Sequence, residues 1–420
     1  MVFMFVEKLV CSKCGEEYPP NALYFGCPKC GERLDIIYDY DAISKVLSKG
    51  LLERRRAGVW KYNELLPIAD HSRIVSLGEG GTPLIKAKRL AGHLGLKKLY
   101  IKDETRNPTG SFKDRPIVVG ISKVNEFGLK NVVIASSGNA AAALAAYSAK
   151  LGFRCVAFVP ENAPNEKVAQ LRLYGATVIR VRRGNTLGDP TVKMMELAHK
   201  EFGWAPVPSF GKFNPYQMEG PKTMAYEILE DLNYQVPDWV FIPVGGGGLF
   251  VGNYKGFKEF KILGFTSDIP HLVAIQAEGC APLVRAWKKK RPIKTWENPK
   301  TIAGGLADPY TWDWDLVFRG LKESKGVAEA VSDELILEAQ RILARYEGIF
   351  VEPSGAASLA GLIKALNKGL IDRDDLVVIE ATGTGFKDLK TISSYMVDVP
   401  IVEPSLDSLE QSLITLRGKD

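Results

Sequence analysis

The feature that most constrains this chain is a series of short, unbroken apolar runs rich in Val and Ile, each parted from the next by enough residues for a helix. The runs are Leu99-Tyr100-Ile101, Val132-Val133-Ile134, Cys155-Val156-Ala157-Phe158-Val159, Thr177-Val178-Ile179, Val240-Phe241-Ile242-Pro243-Val244, Leu272-Val273-Ala274-Ile275 and Leu376-Val377-Val378-Ile379. A strand with one wet face alternates apolar and polar residues, whereas a strand apolar throughout is covered on both faces. Strands joined by helices run parallel. The pattern predicts an α/β fold on parallel sheets. With 420 residues the chain has room for about two to three domains.

Before those runs the chemistry is different. Cys11-x-x-Cys14 and Cys27-x-x-Cys30 lie within the first 30 residues, each pair followed by a glycine, Gly15 and Gly31, that lets the backbone turn both sulfurs toward one centre. Two disulfides are the alternative reading. Short C-x-x-C loops without an export signal favour a metal, and four thiolates fill a tetrahedral shell, so the expectation is a structural zinc held by Cys11, Cys14, Cys27 and Cys30. Residues 1–38 would form this zinc-ribbon module and residues 39–75 a connector with an amphipathic stretch from Asp41 to Arg56.

Charge excludes some partners. The 55 Lys+Arg against 49 Asp+Glu give a net charge of +6, too weak a field to gather nucleic acid. Residues 1–38 carry four basic and five acidic side chains, which argues against nucleic acid there too. No uncharged apolar run reaches the roughly 18 residues of a membrane span, and Met1–Val6 meets Glu7 and Lys8 too soon for a signal peptide. A cytoplasmic chain without membrane partners is expected.

In parallel sheets ligands lie beyond the carboxyl ends of the strands, so the loops there carry the functional reading. In Asn107-Pro108-Thr109-Gly110-Ser111-Phe112-Lys113-Asp114-Arg115, Ser111 and Asp114 have capping-box spacing, which puts Lys113 in a first helical turn. There the helix dipole and burial lower an amine's basicity, as Schiff-base chemistry requires; an ordinary surface lysine is the other reading. Ser136-Ser137-Gly138-Asn139 opens an alanine-rich helix, and its hydroxyls and N–H groups suit a carboxylate or phosphate, or simply cap the helix. Gly245-Gly246-Gly247-Gly248 allows backbone N–H groups to approach a phosphate, without the P-loop or dinucleotide motif. Thr382 offers a neutral hydroxyl or merely steadies its loop. An amine, an anion nest, a phosphate cradle and a hydroxyl around one crevice are the parts of a pyridoxal phosphate site.

The chain resembles the threonine synthase family of the fold type II pyridoxal phosphate enzymes from about Ser76 to Lys390. The likeness rests on Gly80-Gly81-Thr82-Pro83-Leu84, the lysine loop, Ser136 to Asn139, the glycine loop, Glu352-Pro353-Ser354-Gly355-Ala356-Ala357 and Thr382-Gly383-Thr384-Gly385-Phe386-Lys387-Asp388. The resemblance implies two parallel-sheet domains: a larger cofactor domain of residues 76–125 and 206–400 and a smaller substrate-side domain of 126–205, with 401–420 as a tail. It implies that Lys113 links to the cofactor aldehyde and is catalytic, that Asn139 bonds the ring oxygen, and that Gly245, Gly246, Gly247 and Gly248 hold the phosphate. Thr382 would face the ring nitrogen and Phe112 border the ring. Thr82, Ser136 and Ser137 would bind the substrate.

The implied reaction converts O-phospho-L-homoserine and water to L-threonine and phosphate, in a homodimer. Three positions depart from the family pattern: Gln217, where many members carry an arginine against the substrate phosphate; Ala140, where Thr is common; and the four-glycine loop, where an asparagine is usual. Arg115, Lys222 or Lys387 would have to supply the missing cation. The alternatives are a serine/threonine dehydratase, a sulfide-dependent β-replacement enzyme, or a zinc-ribbon adaptor on an inactive body.

Overall fold

The computed structural model describes residues 5–184, 188–393 and 399–417. Every apolar run named above falls on a strand, Val244 alone lying one residue past the end of its own. A six-stranded sheet has the order β12-β11-β10-β13-β5-β4, from Val327–Val331 (β12), His271–Ala277 (β11), Trp239–Pro243 (β10), Leu376–Ala381 (β13), Lys98–Asp103 (β5) and Leu84–Lys86 (β4); only β4 is antiparallel to its neighbour. A parallel four-stranded sheet has the order β8-β7-β6-β9, from Thr177–Val181 (β8), Arg154–Pro160 (β7), Asn131–Ala135 (β6) and Ala205–Pro206 (β9). A small antiparallel sheet of Val6–Cys11 (β1), Glu17–Tyr18 (β2) and Leu34–Tyr38 (β3) sits at the start of the chain, with Cys11 opposite Leu34.

The runs are continuous because alternate residues feed different cores. Val240, Ile242, Leu272, Ala274, Leu376 and Val378 join the core on one face of the larger sheet, whereas Phe241, Val273, Ile275, Val377 and Ile379 join the core on the other. The smaller sheet does the same, Val132, Ile134, Cys155 and Ala157 against Val133, Val156 and Phe158. Each such side chain, fully removed from water, stabilises the fold by about 1.5–3 kcal/mol.

Four helices whose N-terminal ends border one cleft set the site: Asp114–Glu126 (α1), Asn139–Leu151 (α2), Gly248–Ile262 (α3) and Pro353–Asn367 (α4). In α2 the residues Ala140 to Ala145 are buried, and the small side chains of the alanines among them bring the helix close to β6, β7 and α1. The connector departs from expectation. Its amphipathic stretch is two short helices, Tyr40–Val46 and Lys49–Glu53, because Leu47 is extended and the Ser48 side chain caps the second by accepting from Leu51 N–H at 3.3 Å. Tyr62 and Leu65 beyond it are core residues.

Residues 388–420 form a separate unit with helices at Leu389–Ser393 and Leu406–Arg417. Among the described residues no helix is long and apolar enough to cross a membrane.

Candidate active site

The loops leaving β6, β10 and β13, together with the lysine loop that follows β5, converge on one cleft. Its cavity of about 370 Å³ is lined by Phe112 and Lys113, by Ser136 to Ala140, by Gly245 to Leu249, and by Thr382. The lysine loop is zipped to the last of these: Phe112 N–H donates to the Thr382 carbonyl at 2.9 Å, and Thr384 N–H donates to the Gly110 carbonyl at 2.9 Å.

Lys113 stands two positions earlier than the capping box would put it, as the N-cap of α1 and not in its first turn. The capping box does not form. The Asp114 carboxylate instead accepts from Thr109 N–H at 2.8 Å and the Thr109 hydroxyl at 2.9 Å, and the buried Ser111 hydroxyl finds no partner among the described residues. Burial pushes the Lys113 ammonium down to about 8, against the opposing pull of Asp308, Glu352 and Asp313. Its Nζ donates to the Ser209 hydroxyl at 3.0 Å and lies 4.8 Å from the centre of the Phe112 ring. Lysine at this point of the chain is therefore weakly basic, oriented and open to the cleft.

Helix α2 begins at Gly138, with no side-chain cap from Ser137 or Asn139. Ser136 Oγ accepts from Gly138 N–H at 3.2 Å, and Asn139 Nδ2 donates to Glu352 Oε1 at 2.8 Å. Helix α3 also begins uncapped, at Gly247 with φ +106°, a conformation L side chains rarely adopt. A Cβ on Gly245 would lie 2.5 Å from the Gly305 carbonyl oxygen. The first N–H groups of this 15-residue helix thus meet the cleft with no side chain between, which suits an anion. A weakly basic amine, a bare phosphate cradle, a neutral amide and a neutral hydroxyl in one cavity fit pyridoxal phosphate.

Several cleft residues escape sequence reasoning. Asp308, in the Gly304–Pro309 loop, is pushed up to about 7 by burial, although Tyr310 N–H and the Lys113 charge both oppose this. Its Oδ2 would lie 3.3 Å from a Cβ on Gly246. Ser209, Lys167 and Asp189 also line the cavity. Asp308 and Ser209 come from irregular stretches without periodicity, Lys167 from the short helix Asn165–Leu173 and Asp189 from the cap of Pro190–Phe202; the only available signal was the Ala-Asp-Pro turn at 307–309.

Other expected residues lie elsewhere. Thr82 does not line the cleft; its hydroxyl donates to Glu104 at 2.5 Å and accepts from Arg115 at 3.1 Å. Arg115 is fully buried between Glu104 and Glu227, and Lys222 between Glu219 and Glu259, so neither is available to a substrate. Gln217 is buried beside α1, its Nε2 donating to the Phe210 carbonyl at 2.8 Å, and it does not border the cavity. Of the candidate cations Lys387 does line the cleft, its ammonium pushed down by burial against the pull of Glu352 and Asp114.

At the other end of the chain the sulfurs of Cys11, Cys14, Cys27 and Cys30 lie within 4.8 Å of one another, all as free thiols. Cys11 and Cys30 are 3.5 Å apart, Cys14 and Cys27 3.7 Å, and Tyr18 OH is 3.2 Å from the Cys27 sulfur.

Residues 75–383 match the family described as pyridoxal-phosphate dependent enzymes, and the chain belongs to that family. Among its curated relatives, a threonine synthase of Methanocaldococcus jannaschii is 46% identical over 380 residues, 90% of this chain and 92% of the relative. A threonine synthase of Methanosarcina acetivorans is 42% identical over 96% of this chain and 98% of its own. Among solved structures, the processed form of threonine deaminase isoform 2 from Solanum lycopersicum has a TM-score of 0.62 at 25% identity, covering 74% of this chain and 82% of that one. Maize serine racemase has a TM-score of 0.63 at 25% identity, covering 75% and 91%.

Proposed function

We propose that this chain is a threonine synthase, converting O-phospho-L-homoserine and water to L-threonine and phosphate with pyridoxal phosphate held in the cleft. The carrying observation is Lys113: an amine lowered to about 8 that faces a glycine loop and an uncapped helix start across one cavity. Bound pyridoxal phosphate supplies an electron sink for negative charge developing at the substrate's Cα.

The chain's residues do the rest. Lys113 holds the cofactor and then, as a free amine near its own pKa, takes a proton from Cα and one from Cβ. Phosphate leaves Cγ, a proton is returned there, water adds at Cβ, and Cα is reprotonated. Gly245 to Gly248 and the first turn of α3 hold the cofactor phosphate; Asn139 bonds the ring oxygen and Phe112 borders the ring. Ser136 and Ser137, with the first turn of α2, hold the substrate carboxylate. Thr382 meets the ring nitrogen with a neutral hydroxyl, which does not enforce its protonation, so elimination is favoured over transamination. Lys387 and Lys167, both lining the cavity, stand in for the absent arginine as the departing phosphate gains charge.

Cys11, Cys14, Cys27 and Cys30 hold a structural zinc. Bonds of about 2.3 Å in a tetrahedron separate sulfurs by about 3.8 Å, close to the spacings above.

The test is a substrate panel on purified protein with borohydride trapping. Threonine and phosphate from O-phosphohomoserine, with the label on Lys113, are expected. Serine or threonine yielding a keto acid and ammonia, or O-phosphoserine and sulfide yielding cysteine, while phosphohomoserine is untouched, would overturn the assignment.

A further inference from the structure

The four-glycine loop has no side chains with which to hold its own shape, and glycine loses more conformational freedom on ordering than any other residue. Its rigidity must come from outside. Asp313 supplies part of it: its N–H donates to the Gly246 carbonyl at 3.0 Å, and its Cβ would lie 3.1 Å from a Cβ on Gly247. Asp313 is itself buried, and the cation that hydrogen-bonds it comes from the other end of the chain. Arg33 Nη1 donates to Asp313 Oδ1 at 3.3 Å, and the same guanidinium grips Asp315 with two bonds of 3.1 and 2.9 Å.

Arg33 lies three residues past Cys30. Its carbonyl accepts from Ser12 N–H at 3.1 Å and from the Ser12 hydroxyl at 3.2 Å, so the residue next to Cys11 holds the backbone from which the guanidinium departs. The same module braces a second cleft segment. Tyr216 OH donates to the Ala22 carbonyl at 3.0 Å and accepts from Tyr24 N–H at 3.2 Å, and a Cβ on Gly211 would lie 2.8 Å from Arg33 Cδ. That segment begins at Ser209, the acceptor for the Lys113 amine.

We propose that Arg33 is a positioning residue through which the cysteine-ligated module sets the glycine loop to receive the cofactor phosphate. The module then acts on cofactor affinity without touching the cofactor. Without Arg33, the buried Asp313 carboxylate would lose its guanidinium partner and keep only the longer-range pull of Lys113; a side chain free to turn toward water shifts the Cα and Cβ from which Asp313 holds Gly246 and Gly247. The inference rests on pyridoxal phosphate occupying the cleft.

The test is equilibrium titration of the full-length apoenzyme with pyridoxal phosphate, followed by absorbance, after a dye assay has shown each variant to carry its zinc. Arg33→Ala should raise Kd by about tenfold or more, with Asp315→Asn smaller in the same direction. Asp35→Asn removes a partner that Arg33 has inside its own module, at 3.0 Å, and should leave Kd within about twofold. Chelator-stripped wild type should behave as Arg33→Ala does. If Arg33→Ala fails to fold, Asp313→Asn and Asp315→Asn carry the test, since both keep side-chain shape while losing charge. Zinc-replete Arg33→Ala with wild-type affinity would overturn the proposal, and so would Asp35→Asn matching it. Wild type that takes up no pyridoxal phosphate would instead overturn the functional assignment.

Discussion

Replacing Lys113 by methionine tests whether the fold holds this amine at a cost. A buried ammonium moved from 10.5 to about 8 destabilises the folded chain by up to about 3 kcal/mol at neutral pH, at 1.36 kcal/mol for each tenfold change in proton affinity. Lys113 is only half-buried, because it borders the cleft, and water there returns roughly half of that figure, leaving about 1–2 kcal/mol. Methionine has a similar length and no charge to desolvate. Apo Lys113→Met should therefore be more stable than apo wild type by about 1–2 kcal/mol at pH 7 while having no turnover.

The sign of the pH dependence follows from the direction of the shift. Folding lowers this pKa, so the penalty is fully present below about 8, where the lysine is charged both folded and unfolded, and is lost as pH rises from about 8 to 10.5, where the folded form is already neutral. Urea unfolding of both apoproteins across that range is the assay. A methionine variant no more stable than wild type at pH 7, or an advantage that persists unchanged above pH 10, would refute the claim of a desolvated amine.

Cofactor uptake by the apoenzyme, measured by stopped-flow absorbance, should rise about tenfold for each pH unit below about 8 and level off above it, since only the neutral amine attacks; a flat profile would assign the linkage to another group. Gly247→Ala, forced into φ +106° with its Cβ 3.1 Å from that of Asp313, should raise the Kd for pyridoxal phosphate by about tenfold while zinc content is unchanged. Gln217→Arg should lower stability by about 2–4 kcal/mol in denaturant unfolding and leave phosphohomoserine turnover no better, because the new guanidinium is buried beside α1. A gain in kcat/KM there would mean that the turn at 216–219 opens onto the cleft in solution.

Legibility followed burial. Strands with a neighbour on each side and a core on each face, such as β10 and β13, could be read; the edge strand β12, Val-Ala-Glu-Ala-Val, alternates and leaves no such run, whereas the run at the edge strand β8 is largely exposed and so was legible without the double burial expected of it. The site loops were legible for a related reason. Glycines and serines directly after a buried strand, and a lysine in the loop that follows another, break the apolar pattern, so their chemistry stands out. Asp308 and Ser209 reach the same cavity from stretches with no period, where only the fold decides which way a side chain points.

Gln217 marks the limit from the other direction. Its family position suggested a substrate contact, but contact depends on which side of a short turn faces the cleft. Here Gly120 permits the turn to pack so tightly on α1 that a Cβ on it would lie 2.9 Å from the Gln217 Cβ, and the amide is spent on the Phe210 carbonyl. The positive charge that a departing phosphate needs must then come from side chains already lining the cavity, which makes Lys387 and Lys167 better places than position 217 to look for substrate selectivity.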